Sequence, residues 1–132
     1  MMEIFKQLTL SEFEEKFGTE EACLAFLSAE KWKAGFQCRK CGARSFFQGK
    51  TPFSRRCSHC KHIESATSHT LFHHCHLPLP EAFRMAYTIC HEPGISSYSL
   101  SRQLNRRQMT CWKFLRKVEA CQRKEAAEHQ PE

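Results

Sequence analysis

Two closely spaced pairs of cysteines are the residues of this chain whose types and spacing best suit chemistry. Cys38 and Cys41 form one Cys-x-x-Cys pair, Cys57 and Cys60 form another, and fifteen residues separate the pairs. A Cys-x-x-Cys turn directs two thiolates at one ion, and two such turns complete the tetrahedron that Zn²⁺ prefers in structural sites. The spacing therefore predicts one structural Zn²⁺ bound by all four cysteines.

Two redox functions are alternatives to a zinc site. Four thiolates can hold a single iron for electron transfer, but electron transfer does not explain the basic residues around the pairs. A thioredoxin-type site needs one exposed pair at a helix start, whereas here two equivalent pairs lie among strand-favouring residues. The nine cysteines are an odd number, and no basic start is followed by an apolar run. We therefore expect a cytoplasmic location, where thiols stay reduced and paired cysteines bind metal.

The remaining cysteines have less distinctive surroundings. Four of them fall on apolar helical faces, where cysteine commonly serves as a small hydrophobic residue: Cys23, Cys90, Cys111 and Cys121. The segment 69–76 adds a fifth cysteine and four histidines, which could form a second metal site. It lacks a clean two-pair spacing, so we expect it to pack or to face solvent.

Charge is distributed unevenly along the 132 residues, whose net charge is +6. Residues 1–30 carry two Lys and seven Glu, whereas residues 31–132 carry eighteen Lys and Arg and seven Glu. A concentrated positive field favours a polyanion such as nucleic acid, although solvated surface cations are the alternative explanation. The chain contains no Asp, so Glu supplies every acidic side chain.

The pattern of apolar and turn-forming residues predicts an α+β fold in four segments. Residues 1–34 are expected to form an acidic helical segment, and residues 35–77 a small zinc ribbon of short antiparallel strands. Residues 78–124 favour further helices, separated by Pro and Gly. Residues 125–132 are polar and are expected to be a disordered tail.

Two helix starts are predicted in the acidic segment. Ser11 and Glu14 have the spacing of a capping box. Thr19 precedes two glutamates, which would stabilise the positive end of a helix. Cys23 lies at helical spacing from later apolar residues and is predicted to be in the core.

The stretch GISSYSLSRQL-NRR-QMTCWKFLRKV predicts a helix-turn-helix, with a second helix suited to the major groove. At 100° per residue this helix has an apolar back and an all-cationic front. Trp112 flanks the front and is expected to pack. The predicted DNA contacts are Arg106, Arg107, Gln108, Thr110, Lys113, Arg116 and Lys117.

Four blocks of sequence, in order, resemble the amino-terminal region of bacterial insertion-sequence transposases of the DDE type, which begin with a zinc ribbon. The blocks are TEEACLAFL, the four-cysteine ribbon, TLFHHCHLPL, and GISSYSLSRQL leading into TCWKFLRKV. The resemblance covers residues 19–120. It implies a bacterial protein that recognises the double-stranded DNA ends of a mobile element during transposition.

The sequence also departs from the family in two ways. Members carry a nuclease domain after this region, in which acidic residues hold the catalytic metal ions. This chain has no Asp, so we expect a DNA-binding protein without enzymatic activity, with a separate transposase catalytic chain as a candidate partner.

The family usually has Gly-Val-Ser at the turn, where this sequence has Asn105-Arg106-Arg107. Asn tolerates a left-handed conformation, so the turn is expected to persist.

Two other functions are kept as alternatives. The ribbon or the acidic helices could be a protein-protein interaction module, whose apolar interface would be less sensitive to salt than DNA binding. A small metalloenzyme using segment 69–76 would need a coordination position open to water. No membrane association and no small-molecule substrate are expected.

Overall fold

A computed structural model describes residues 2–73 and 77–129 of the chain and has the predicted α+β fold. Three antiparallel strands form one sheet, in the order β1-β2-β3. No helix in the described part is long and apolar enough to cross a membrane. The elements are α1 (Met2–Gln7), α2 (Leu10–Lys16), α3 (Glu20–Lys31), β1 (Phe46–Gln48), β2 (Arg55–Cys57), β3 (Ile63–Glu64), α4 (Leu79–His91), α5 (Ser97–Leu104) and α6 (Gln108–His129).

The chain divides into two compact units that do not follow its linear order. One unit comprises Met1–Glu15 and Glu81–Glu132, and the other comprises Lys16–Pro80. The acidic segment predicted over residues 1–34 therefore contributes to both units. The domain boundaries drawn from sequence stay a prediction.

Helix α3 begins as the sequence predicts. The Thr19 side chain accepts a hydrogen bond from the Ala22 N–H at 3.1 Å, and two glutamates occupy the first turn. Cys23 and Leu27 lie on the buried face, and the Cys23 thiol is 3.7 Å from the Phe17 carbonyl oxygen. The prediction of Cys23 as a core residue is confirmed.

The sheet is a short ribbon whose first turn depends on a glycine. Phe47 pairs with Arg56 in β2, and Arg56 pairs in turn with Ile63 in β3. Gly49 follows β1, and a Cβ atom there would lie 2.1 Å from the Ser54 hydroxyl oxygen. Any larger residue would therefore disturb the β1–β2 turn.

Helix α2 begins two residues earlier than the sequence analysis predicted. The Thr9 N–H donates to the Glu12 carboxylate at 3.1 Å, and the Glu12 N–H donates to the Thr9 hydroxyl oxygen at 3.2 Å. The predicted capping box of Ser11 and Glu14 is therefore wrong. Both pairs have the required spacing, but Glu14 instead forms an ion pair with Arg84 at 2.9 Å.

Helix α4 packs against the first two helices within its unit. The rings of Phe5 and Phe83 meet edge to face with centroids 5.7 Å apart. The Tyr87 ring lies 4.6 Å from that of Phe13, and its hydroxyl donates to the Leu8 carbonyl at 2.9 Å. These contacts bury the aromatic residues of the short α1 and α2, which would not be stable as isolated helices.

Helices α5 and α6 are joined by a three-residue turn. Ser96 caps α5, and Asn105 ends it in the left-handed conformation with φ 53° and ψ 50°, as predicted. Leu100 is fully buried, and α6 buries Cys111, Phe114 and Val118.

The last part of α6 differs from the predicted tail. Residues 125–129 are helical, and residues 130–132 lie outside the described residues. The segment Glu-Ala-Ala-Glu contains strong helix formers, which continue a helix already under way.

Candidate metal centre and nucleic-acid surface

The four paired cysteines converge on a single point. All four sulfurs lie within 4.8 Å of one another, and no other group of three or more possible ligands converges in the described part of the chain. The Sγ atoms of Cys38 and Cys60 are 3.5 Å apart, as are those of Cys41 and Cys57. In a tetrahedral site with Zn–S bonds of about 2.3 Å, the sulfurs lie about 3.8 Å apart. The geometry therefore fits one structural Zn²⁺.

The two cysteine turns have the same backbone design. The Gly42 N–H donates to the Cys38 carbonyl at 2.9 Å, and the Lys61 N–H donates to the Cys57 carbonyl at 3.1 Å. Both donors have a positive φ, 79° at Gly42 and 68° at Lys61. Each turn thereby brings its second cysteine back beside its first.

Backbone amides prepare Cys57 to act as a thiolate. The N–H groups of Cys60 and His59 each donate to the Cys57 sulfur at 3.4 Å. These bonds, the one from Cys60 first, lower the pKa of Cys57 to about 6. At Cys41 the backbone bond from Ala43 favours the thiolate, yet burial and the neighbouring sulfurs raise its pKa to about 12. A second negative charge beside the first is thus disfavoured until a metal cation compensates it.

A buried ion pair connects the first cysteine turn to α3. The Arg39 Nε donates to the Glu64 carboxylate at 2.7 Å, and the Lys31 ammonium lies 3.2 Å from its other oxygen. The Lys31 and Glu64 side chains are only 7% and 5% exposed. Lys31 also donates to the carbonyls of Ser65 and Ser68. Burial lowers the pKa of Lys31, and Glu64 opposes that shift.

Sequence reasoning missed this ion pair, although it left a signal. Glu64 is the single acidic residue between residues 31 and 80. An isolated acid in a strongly basic stretch is a candidate for a buried partner of one of the cations.

Aromatic side chains cover the metal centre. Trp32 and Phe36 pack in one buried cluster with Cys38 and Cys57. The Arg55 guanidinium lies 4.5 Å from the Trp32 ring centroid and 4.1 Å from that of Phe46. This apolar cover limits the access of water to the sulfurs of Cys38 and Cys57, whereas Cys41 is exposed.

Comparison with known proteins agrees with this geometry. Residues 18–63 match the transposase zinc-ribbon domain family. The resemblance stated from the sequence is confirmed for residues 18–63, which are similar to a transposase zinc ribbon and hold one structural Zn²⁺ site. No curated protein and no solved structure matches the chain.

The predicted DNA contacts lie in α6 and in the turn before it, and some are exposed whereas others are half-buried. Arg107, Lys113, Arg116 and Lys117 are exposed. The other three, Arg106, Gln108 and Thr110, are half-buried. Arg106 forms an ion pair with Glu81, and the Gln108 side chain donates to the Ser97 hydroxyl at 2.6 Å.

Two apolar residues on α6 face solvent beside these cations. Met109 is 56% exposed and Trp112 is 43% exposed. The Arg116 guanidinium lies 5.0 Å from the Trp112 ring centroid. The expectation that Trp112 packs is wrong, because its side chain is exposed on the same side of the helix as the cations.

The His-rich segment shows no metal cluster in its described part. The rings of His69 and His73 are parallel, with centroids 6.2 Å apart. His74, Cys75 and His76 lie outside the described residues.

Proposed function

We propose that this protein, whose chain also contains a transposase-type zinc ribbon, binds double-stranded DNA through α5 and α6, which act as a helix-turn-helix. The proposal extends the ribbon match to the function expected from the sequence, the recognition of mobile-element ends. The cytoplasmic bacterial location expected from the sequence is consistent with that role.

The exposed side of α6 is the observation that carries this proposal. From residue 108 to residue 125, the exposed charged side chains of α6 are all cations, Lys113, Arg116, Lys117, Arg123 and Lys124, whereas Glu119 and Glu125 are half-buried. An ordinary solvated helix face mixes both signs of charge. A one-signed face on a helix about 10–12 Å wide suits the major groove, which is about 12 Å wide and lined by phosphates.

The positions of the side chains suggest how they divide the contacts. Met109 and Lys113 lie in the first turns, which reach base edges in helix-turn-helix complexes. An exposed Met109 is suited to a thymine methyl group. Gln108 would have to release Ser97 before it could contact a base. Arg116 and Lys117 follow one turn later and are suited to phosphates.

Strand cleavage is not part of the proposed function. Two-metal nuclease chemistry requires clustered carboxylates, and the described residues contain no such cluster. We expect no nicking of plasmid DNA in Mg²⁺ by the purified protein. Nicking that disappears on substitution of one Glu would contradict this expectation, whereas nicking unaffected by every such substitution would indicate a contaminant.

A salt titration tests the proposed function against a protein-interaction module. If several cations contact phosphates, the logarithm of the association constant for duplex DNA falls linearly with the logarithm of salt, by about 0.9 per contact. Fluorescence anisotropy with a labelled random duplex measures this slope. An absence of duplex binding at low salt by the zinc-loaded protein would reject the proposal in favour of a protein partner.

A further inference from the structure

The ribbon sheet has one covered face and one open face. Side chains alternate between faces along a strand, and directly paired residues share a face. Cys57 and Glu64 therefore lie on the covered face, towards the metal centre and the buried ion pair. The paired residues Phe47, Arg56 and Ile63 form a row across the other face.

This second row, which we call the open face, is exposed in all three strands. Phe47 is 58% exposed, Ile63 is 47% exposed, and Arg56 is also exposed. The Lys61 ammonium lies 5.5 Å from the Phe47 ring centroid. Neither Arg56 nor Lys61 forms an ion pair within the described part of the chain. A solvated aromatic ring thus lies among cations whose charge is not compensated.

The charge of the whole ribbon favours an anionic partner for this face. Residues 35–64 contain seven Lys and Arg and a single acid, Glu64. Glu64 is buried and already paired with two cations. Six of the seven cations are exposed: Arg39, Lys40, Arg44, Lys50, Arg56 and Lys61. The Lys and Arg side chains between residues 35 and 64 therefore give the ribbon surface an excess of positive charge.

We propose that the open face binds single-stranded nucleic acid, with a base stacked on Phe47 and with phosphates contacted by Arg56 and Lys61. A flat ring beside cations meets both needs of an unpaired strand, which offers π faces and phosphates together. In a duplex the base faces are hidden within the stack, so Phe47 would have no such partner. The site is on the ribbon and does not depend on the proposed duplex binding by α6.

Binding of a labelled oligothymidylate of about 12 nucleotides to the zinc-loaded full chain tests this site. Phe47→Ala and Phe47→Leu should each weaken binding about 5- to 100-fold, because stacking requires a π face, whereas Phe47→Tyr should retain it. Arg56→Ala should reduce the salt slope by about 0.7. Leu10→Ala is the control, since this apolar side chain is 44% exposed and lies in α2, outside the ribbon and outside α5 and α6. Zinc content confirms that each variant is folded.

Photo-cross-linking locates the contact independently of affinity. An oligothymidylate that carries 5-iodouracil should cross-link to the tryptic peptide of residues 45–50, which contains Phe47. Cross-links confined to α6, or wild-type affinity in Phe47→Leu, would overturn the proposal. If Phe47→Ala altered self-association but not oligonucleotide binding, the face would be a protein interface instead. Duplex binding should stay within about 2-fold of wild type in Phe47→Ala, so that failure here and failure of the α6 proposal are distinguishable.

Discussion

Gly42 and Lys61 occupy equivalent positions in the two cysteine turns, yet only one of them is a glycine. Both residues have a positive φ, and no atom lies within 4 Å of a Cβ built on Gly42. A non-glycine residue pays about 1 kcal/mol or more for this left-handed conformation. The two positions thus allow backbone strain to be measured in both directions.

We predict that Gly42→Ala destabilises the zinc-loaded ribbon by about 1 kcal/mol and that Lys61→Gly stabilises it by up to about 1 kcal/mol. Urea unfolding of the ribbon gives both values. Lys61→Ala is the control, because it removes the side chain without relieving the backbone. If both substitutions changed stability in the same direction, the left-handed geometry would not be the cause.

Glu64 is the residue whose replacement should cost the ribbon most outside the cysteines. Glu64→Gln keeps the shape of the side chain but leaves the buried Lys31 ammonium without its counter-charge. We expect a loss of about 3 kcal/mol in unfolding free energy. The exposed pair of Lys33 and Glu30, 3.9 Å apart, provides the control, and Glu30→Gln should change stability by less than about 0.5 kcal/mol. Equal effects of the two substitutions would show that burial does not matter here.

Single residues were predictable from sequence where one local interaction decides the outcome. Thr19 and Cys23 are examples. The residues after Thr19 predict its role as a helix cap, and helical spacing predicts that Cys23 is buried. The start of α2 was not predictable in this way. Thr9–Glu12 and Ser11–Glu14 both have the spacing of a capping box, and Glu14 pairs instead with Arg84, which is distant in sequence. The exposure of Trp112 likewise depends on which side of α6 is covered by other helices.

At the scale of elements, the three strands are two to three residues long and are too short to be stable without further support. Zinc bound by the four cysteines would link the segment before β1 to the end of β2, at the open end of the first hairpin, and Trp32 and Phe36 pack beside two of these cysteines. The four ligands followed from the sequence, because the Cys-x-x-Cys spacing fixes local geometry. The open face could not be predicted from the sequence, because it depends on the pairing of three strands whose register no single turn specifies.

We predict one Zn²⁺ per chain and loss of the ribbon when it is removed. Cys38→Ser or chelation should abolish hydrogen-exchange protection of the β1–β2 pairing, because metal binding supplies much of the folding free energy of so small a unit. Cys121→Ser, in α6, is the control and should keep its zinc and its protection. Strands that stay protected after stoichiometric zinc removal would contradict the metal-dependent account.

For the whole molecule, twelve of the twenty Lys and Arg lie in the ribbon (residues 35–64) and in α6, and half of the fourteen glutamates lie in the first thirty residues. The helical spacing of the basic residues correctly predicted that they lie together on an exposed side of α6. The sequence did not predict that residues 1–15 join residues 81–132 in one unit. That arrangement depends on long-range aromatic contacts such as Phe5 with Phe83, which have no local signature in the sequence.

The most direct measurement is the salt dependence of duplex DNA binding by the zinc-loaded protein and by its Lys113→Ala/Lys117→Ala variant. Removing two phosphate contacts should weaken binding and reduce the slope of log association constant against log salt by about 1.8. Lys6→Ala, an exposed lysine of α1, is the control and should leave both values unchanged. A folded double variant with wild-type affinity and slope would show that α6 does not contact DNA.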